Sequence, residues 1–500
     1  MSQILYHSTR DSLKRESITS SAAIKQGLAA DGGLFVPDSL PTIGKADVEA
    51  LLPLSYSERA AKVLSMFLTD YTSEELLQDC QNAYAESSFP GGAAPLRAID
   101  ENTLSLELWH GPTAAFKDMA LQIMPRLLSR ALVKTGETRT ALILVATSGD
   151  TGKAALEGYK DIPQIKMMVF YPIDGVSRVQ KLQMATQTGD NVSVMAIRGN
   201  FDDAQTGVKV IFGDEEAAKV LDENGCFFSS ANSINWGRLA PQIVYYVSAY
   251  CDLLKAGKIS YGDPMNVCVP TGNFGNILAA YIAKMMGLPV GKLICASNSN
   301  NVLTEFLETG TYNRNRPFYL TMSPSMDILI SSNLERLLYF VAGSDATRSY
   351  MESLSKNGSY TVSSDVFDTI RKDFYGYYAD EAATAETIRT TFRENGYLID
   401  THTAVAVSAV KQYREKTGDN TVTVVASTAS PYKFAADVYA SLIGQTASDP
   451  LMALDELSAV SNTEIPYPLK GIGTRKVRFT DVIDKSEMKE TVYRFAKQSK

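Results

Sequence analysis

Thr140-Ala-Leu-Ile-Leu-Val-Ala146 runs straight into Thr147-Ser-Gly-Asp-Thr-Gly152 and then into a helical pattern from Lys153. The first run is strand-length and apolar at both odd and even positions, so it reads as a strand buried on two faces. The same strand–loop–helix grammar recurs. Met265-Asn-Val-Cys-Val leads into a Gly-rich loop and a helix that stops at Gly287, and Thr421-Val-Thr-Val-Val repeats the pattern late in the chain. Lys166-Met-Met-Val-Phe-Tyr, Val192-Ser-Val-Met-Ala-Ile and Lys292-Leu-Ile-Cys-Ala are further strand candidates. Apolar strands alternating with helices predict an α/β fold of parallel sheets covered on both faces.

Working outward, 500 residues exceed one ordinary core and imply two or three domains. Ser233 to Lys255 reads as a long helix with Leu239, Ile243, Tyr246, Val247, Tyr250 and Leu254 along one side. The first hundred residues look mainly helical and separate, and the last fifty are expected to wrap the surface. Hydrophobic content of 45%, charged content of 21% and a net charge of −8 fit a soluble enzyme with a mildly acidic surface. No basic arm suggests nucleic acid as a partner, and no apolar run is long enough to cross a bilayer. The N-terminus lacks the charged and apolar regions of a signal peptide. Five scattered cysteines without a CxxC pair suit reduced thiols in the cytoplasm. Only His7, His110 and His402 are present, which argues against a histidine-rich metal site.

The chemistry centres on Leu108-Trp-His-Gly-Pro-Thr-Ala-Ala-Phe-Lys-Asp118. Pro112 suits a helix start, and Lys117 stands directly behind the Phe116 ring. A lysine held against apolar groups loses hydration, which lowers its pKa and makes the neutral amine accessible. That amine is the form that makes a Schiff base with an aldehyde such as pyridoxal phosphate. A solvated surface lysine is the plainer alternative.

Three loops give this lysine its context. Thr271-Gly272-Asn273-Phe274-Gly275-Asn276 opens a helix and offers backbone N–H groups to an anion, a phosphate cradle without a lysine. It lacks the spacing of a nucleotide P-loop or a dinucleotide fingerprint, and a tight turn is the alternative. Thr147 to Gly152 makes a second anion-sized hollow, in which Ser148, Gly149 and Thr151 suit an amino-acid carboxylate; helix capping by Asp150 or Thr151 is the alternative. Ala426-Ser-Thr-Ala-Ser-Pro431 carries Thr428, a turn residue whose hydroxyl suits a pyridine nitrogen without holding it protonated.

Taken in order, these segments resemble threonine synthase, a pyridoxal-phosphate enzyme of fold type II. The resemblance spans nearly the whole chain. Gly27-Leu-Ala with Asp31-Gly-Gly-Leu-Phe-Val-Pro37 is similar to the family's N-terminal signature, and Trp109 to Asp118 to its lysine motif. Thr147 to Gly152, Ser230 to Asn235, Pro270 to Gly275, Ser323 to Asp327, Ser427 to Phe434 and Pro468 to Gly471 resemble further family segments. Ser430 and Tyr432 depart from it, standing where members often carry His and a smaller residue.

The resemblance implies a tryptophan-synthase-beta-like fold: a helical N-terminal module (1–95), a large cofactor domain (96–134 and 257–500) and a small α/β domain (135–256). It implies that Lys117 binds pyridoxal 5'-phosphate. Phe116 would flank the cofactor, Gly272, Asn273, Phe274, Gly275 and Asn276 would hold its phosphate, and Thr428 would face its ring nitrogen. The implied reaction converts O-phospho-L-homoserine and water to L-threonine and phosphate, in a monomeric enzyme without nucleic-acid or membrane partners. A second dianion needs its own donors, for which Arg238, Lys181, Asn232 and Ser233 are the candidates. His110 is a candidate for orienting the Lys117 turn. A phospholyase yielding 2-oxobutyrate and a non-catalytic ligand-binding descendant are the competing readings.

Overall fold

The computed structural model describes residues 3–15, 17–147, 149–174 and 176–498. Thr140–Ala146 is a strand, and its alternation assigns its faces. Ala141, Ile143 and Val145 point into the main core, whereas Leu142 and Leu144 point into a second cluster. The strand lies in a five-stranded, all-parallel sheet. Its order is Val482–Asp484, Val192–Arg198, Ile165–Pro172, Thr140–Ala146, Cys226–Ser229. The outer cluster is filled by Ala204, Val208 and Ile211 of the helix Phe201–Phe212, Leu221, and Val492 and Phe495 of the helix Met488–Lys497.

A larger, six-stranded sheet runs Phe374–Tyr378, Val290–Ser297, Met265–Pro270, Thr423–Ser427, Thr103–Glu107, Leu96–Ala98. All its neighbours pair parallel except the last two strands, which pair antiparallel. Val267, Val269 and Val424 face the main core. Cys268, Ile294 and Val425 face Val405, Ala409 and Tyr413 of the helix Thr401–Thr417. Two-sided burial explains the absence of polar alternation in these strands.

The leading residues form the helices Ser20–Gln26, Lys45–Leu51, Tyr56–Phe67 and Ser73–Ala83, with the antiparallel strand pair Tyr6–Ser8 and Phe35–Pro37. They share the main core. The rings of Tyr6 and Phe67 pack 5.4 and 5.7 Å from Trp236. Beside them lies Arg336, fully buried. Its Nε donates to the Phe35 carbonyl at 3.1 Å, and its Nη2 to the carbonyls of Phe35 and Ile234 at 2.9 and 2.6 Å.

Three expectations change. The long helix is Trp236–Lys255, and it packs on Gly275–Met285, Tyr56–Phe67 and Lys117–Leu121 rather than within the smaller sheet's layer. Its apolar residues extend round most of its circumference, so it is buried from several sides. The terminal stretch does not simply wrap the surface. Val482–Asp484 adds an edge strand to the smaller sheet, although 257–500 was expected in the large domain. Pro112 does not start a helix either: that helix is Lys117–Leu121, because the residues before it are drawn into backbone pairing described below.

Gly158 sets how closely the two sides of the molecule approach. A Cβ there would stand 1.8 Å from the Leu121 carbonyl oxygen, at the contact between the helices Asp150–Tyr159 and Lys117–Leu121. Gly158→Ala is expected to force these helices apart and cost about 1–3 kcal/mol. Urea unfolding measures this, and a variant as stable as its parent would show that the contact yields freely.

Candidate active site

The segment before Lys117 lies along the end of a strand of the larger sheet. Leu108 N–H donates to the Ser427 carbonyl (3.0 Å), Phe116 N–H to the Thr428 carbonyl (2.8 Å) and Ser430 N–H to the Ala114 carbonyl (3.0 Å). Ala115 and Ala429 form an antiparallel bridge. This pairing keeps residues 114–116 extended or turned, with Ala114 at φ +58°, and delays the helix until Lys117. Trp109 Nε1–H donates to Ser427 Oγ at 3.0 Å. His110 stacks on Trp109 and bonds through Nε2 to Glu107 at 2.7 Å. It therefore braces the start of the turn, at the far end from Lys117.

The Lys117 side chain is 13% exposed. Its Nζ lies 3.2 Å from Ser325 Oγ, 3.9 Å from Asp150 Oδ2 and 5.3 Å from the centre of the Phe116 ring. Burial lowers its pKa; Asp150 opposes the shift, and Lys433 and Arg238 reinforce it. Ser325 is itself fixed, because its N–H donates to His402 Nε2 at 3.1 Å. His402 must then carry its proton on Nδ1, which donates to Asp400 at 2.9 Å.

Asp150 does not cap its helix. Thr147 Oγ1 takes that role, accepting from Gly149 N–H and Gly152 N–H at 3.0 Å each. The Asp150 carboxylate turns instead toward Lys433 Nζ (3.1 Å) and Gln180 Nε2 (2.8 Å). Burial alone would raise its pKa, but the Lys433 and Lys117 cations hold it well below the usual carboxylate range. Lys433 is fully enclosed and also donates to the Thr113 carbonyl at 2.8 Å.

Asp118 presents the opposite case. Burial pushes its pKa up to about 6, against hydrogen bonds from Thr113 N–H and Oγ1 at 2.8 and 2.7 Å. The folded protein therefore holds this proton more tightly than the unfolded chain does, and stability falls as pH rises from about 4 to about 6. The loss is about 3 kcal/mol at the constant of 1.36 kcal/mol per unit. Asp118→Asn is expected to remove this component, so thermal midpoints of parent and variant diverge between pH 4 and pH 7. Parallel curves would exclude it.

Gly272 to Asn276 form the turn into the helix Gly275–Met285, with Phe274 left-handed at φ +64°. A non-glycine residue in this region is strained and is held there by its surroundings. A Cβ on Gly272 would lie 2.6 Å from the Ser325 carbonyl oxygen, so the turn passes close against the partner of Lys117. Ser331 Oγ donates to the Gly272 carbonyl (2.6 Å), and Asn333 N–H to the Asn273 carbonyl (3.0 Å). Asn276 is buried. Its Oδ1 accepts from the Tyr246 hydroxyl, while its Nδ2 has no partner among the described residues. A helix N-terminus with free N–H groups and an orphaned amide suits a phosphate ester. Thr428 is buried, and its hydroxyl also has no partner among the described residues. These groups fit pyridoxal phosphate.

The second anion candidates divide. Arg238 is 5% exposed and donates through Nη1 to the Ala231 carbonyl at 2.6 Å. Its Nε has no acceptor, and no carboxylate pairs with it among the described residues. Burial lowers its pKa to about 10. Ser233 is half-buried and donates to Asn232 Oδ1 at 3.3 Å, with Asn232 exposed. Asn333 Nδ2 donates to the Ser233 carbonyl at 3.3 Å, joining this loop to the glycine turn. Lys181 is half-buried, and its ammonium donates to the Ile173 carbonyl. Gly149 precedes the helix at φ +145°, Thr151 is half-buried in its first turn, and Ser148 lies outside the described residues. Asp150, Lys433, Ser325 and His402 escaped the sequence-based list of site residues. Asp150 reads as a helix cap, and Lys433 lies within the Ser427–Phe434 motif without a sign of its burial.

A buried amine, a glycine-rich helix-entry turn against its partner Ser325 and a hydroxyl unpartnered among the described residues are the groups a pyridoxal-phosphate enzyme needs. Residues 103–428 match the family model for pyridoxal-phosphate dependent enzymes. Residues 5–84 match that for the threonine synthase N terminus, and residues 403–492 that for the threonine synthase C-terminal region. Human threonine synthase-like 1 is 40% identical over 456 residues, covering 88% of this chain and 61% of the relative, so this chain spans about three fifths of that protein. Threonine synthase from Pseudomonas aeruginosa is 39% identical over 438 residues, covering 86% and 89%. The crystal structure of pyridoxal-phosphate-bound threonine synthase from Brucella melitensis superposes with a TM-score of 0.87 at 37% identity, covering 99% of this chain and 100% of that one. The yeast threonine synthase structure also gives 0.87, at 34% identity, covering 98% and 97%. The fold is thus fold type II, and the chain belongs to the threonine synthase family of pyridoxal-phosphate-dependent enzymes.

Proposed function

We propose that this chain converts O-phospho-L-homoserine and water to L-threonine and phosphate, with pyridoxal 5'-phosphate attached at Lys117. The observation that carries this reading is a desolvated lysine within electrostatic reach of a buried arginine that has no carboxylate partner among the described residues. The first suits a carbonyl cofactor, and the second suits a phosphorylated substrate. When bound, the cofactor withdraws electrons from the substrate's amine-bearing carbon.

Everything else falls to the chain's own groups. The turn Gly272–Asn276 holds the cofactor phosphate, and Thr428 meets the ring nitrogen with a neutral hydroxyl. The Lys117 amine is the group that moves protons among the substrate's Cα, Cβ and Cγ, because burial disfavours its charged form. Ser325 fixes the direction of that amine by accepting its hydrogen bond. Arg238 binds the substrate phosphate, with Ser233 and Asn232 on the same loop, and Gly149 and Thr151 take the α-carboxylate. Released phosphate is a candidate base for the water that adds at Cβ.

A phospholyase yielding 2-oxobutyrate would call on the same lysine. Incubating the pyridoxal-phosphate-loaded protein with O-phospho-L-homoserine separates the two reactions. Threonine and phosphate in equal amounts are expected; phosphate with 2-oxobutyrate and ammonia, without threonine, would overturn the reading.

A further inference from the structure

We propose that Asp150 is a positioning residue for the Lys117 amine, and that Lys433 keeps Asp150 an anion throughout the reaction. This rests on the reading of Lys117 as the cofactor lysine. The two oxygens of Asp150 have different neighbours: Oδ2 faces Lys117 at 3.9 Å, and Oδ1 is held by Lys433 at 3.1 Å and Gln180 at 2.8 Å. Asp150 opens the helix Asp150–Tyr159 behind a strand of the smaller sheet. Lys433 lies in the turn Pro431–Phe434 behind a strand of the larger one. The ion pair therefore joins an element that follows the smaller sheet to one that follows the larger.

The physical need for Lys433 follows from what Lys117 does. A lysine that alternates between neutral and protonated forms cannot permanently neutralise a buried carboxylate. Each time it lost its charge, Asp150 would be an unpaired buried anion and would take the proton itself. Lys433 has no such duty, and its donation to the Thr113 carbonyl ties it to the Lys117 turn. Asp150 thus stays charged and draws the proton-bearing form of the amine toward the Thr147–Gly152 loop. The groups facing Lys117 are Asp150 from that helix, Lys433 from its turn, Arg238 from Trp236–Lys255 and Asp118 from its own helix. Of these, Asp150 is the anion within 4 Å.

The test is a pH titration of the visible absorption of the pyridoxal-phosphate-loaded protein, which reports the proton on the nitrogen joining Lys117 to the cofactor. In Asp150→Asn the midpoint is expected to fall by about 1–3 units, the effect of losing an opposite charge at this range. Adding Lys433→Met to that variant removes a like charge and is expected to bring the midpoint part of the way back up. This reversal of sign is one that a merely structural role would not produce. The double variant leaves neither member unpaired, so it serves where Asp150→Asn folds poorly, and its midpoint still lies below the parent's. An unmoved midpoint in either variant, or a further fall on adding Lys433→Met, overturns the proposal. A parent protein with no borohydride-fixable visible band would instead overturn the assignment of Lys117.

Discussion

Lys117→Ala is expected to abolish the borohydride-fixable visible band of the pyridoxal-phosphate-loaded protein and to lower kcat by at least about 10³-fold, the range for a lost acid–base group. Two proposed roles are lost together: carrying the cofactor and moving the substrate's protons. The fold should survive. Lys117 is the first residue of its helix, and among the described residues its side chain makes one hydrogen bond, to Ser325. The turn proposed to seat the cofactor's phosphate also persists, because Gly272 is held by Ser331 and its neighbour Asn273 by Asn333. The variant should therefore bind pyridoxal phosphate without fixing it. Peptide mapping after reduction of the parent completes the test: a label on any lysine other than 117 would remove the assignment.

Arg238→Met is expected to raise KM for O-phospho-L-homoserine by about 100-fold, near 3 kcal/mol at 1.4 kcal/mol per decade. Cofactor retention should change little, since the cofactor phosphate is assigned to the glycine turn. The same substitution should make the substrate-free protein more stable. It replaces a buried cation, whose Nε has no acceptor and which no carboxylate pairs among the described residues, by an apolar chain of similar length. The two effects have opposite signs, and both are measurable, by initial rates and by thermal unfolding. An unchanged KM would remove Arg238 from the phosphate site, and a destabilised variant would show that its role is packing.

Much of this was legible in the chain. Buried parallel strands lack polar alternation, so Thr140–Ala146 and Met265–Pro270 announce themselves as apolar runs, and their loops carry the glycines proposed to bind anions. Local signals fail where a distant partner decides. The Pro112 turn resembles a helix start, but pairing with residues 428–430 overrides that preference. Asp150 looks like a cap until Lys433 arrives from the far end of the sequence. Lys181 and Arg238 are both cations near expected anion loops, and both donate to a backbone carbonyl; only tertiary packing shows that Arg238 is the buried one, with an Nε that lacks an acceptor among the described residues.

Arg336 carries a lesson about ancestry. Its charge is satisfied by backbone oxygens contributed from the leading strand and from the loop ahead of the central helix. A lineage that shed the leading segment would take away the Phe35 carbonyl and leave the cation the Ile234 carbonyl and Asn333 Oδ1, at a cost of about 1.5–3 kcal/mol for a charged hydrogen bond. Loss of the charge at position 336 is therefore expected to accompany a shortening that removes Phe35.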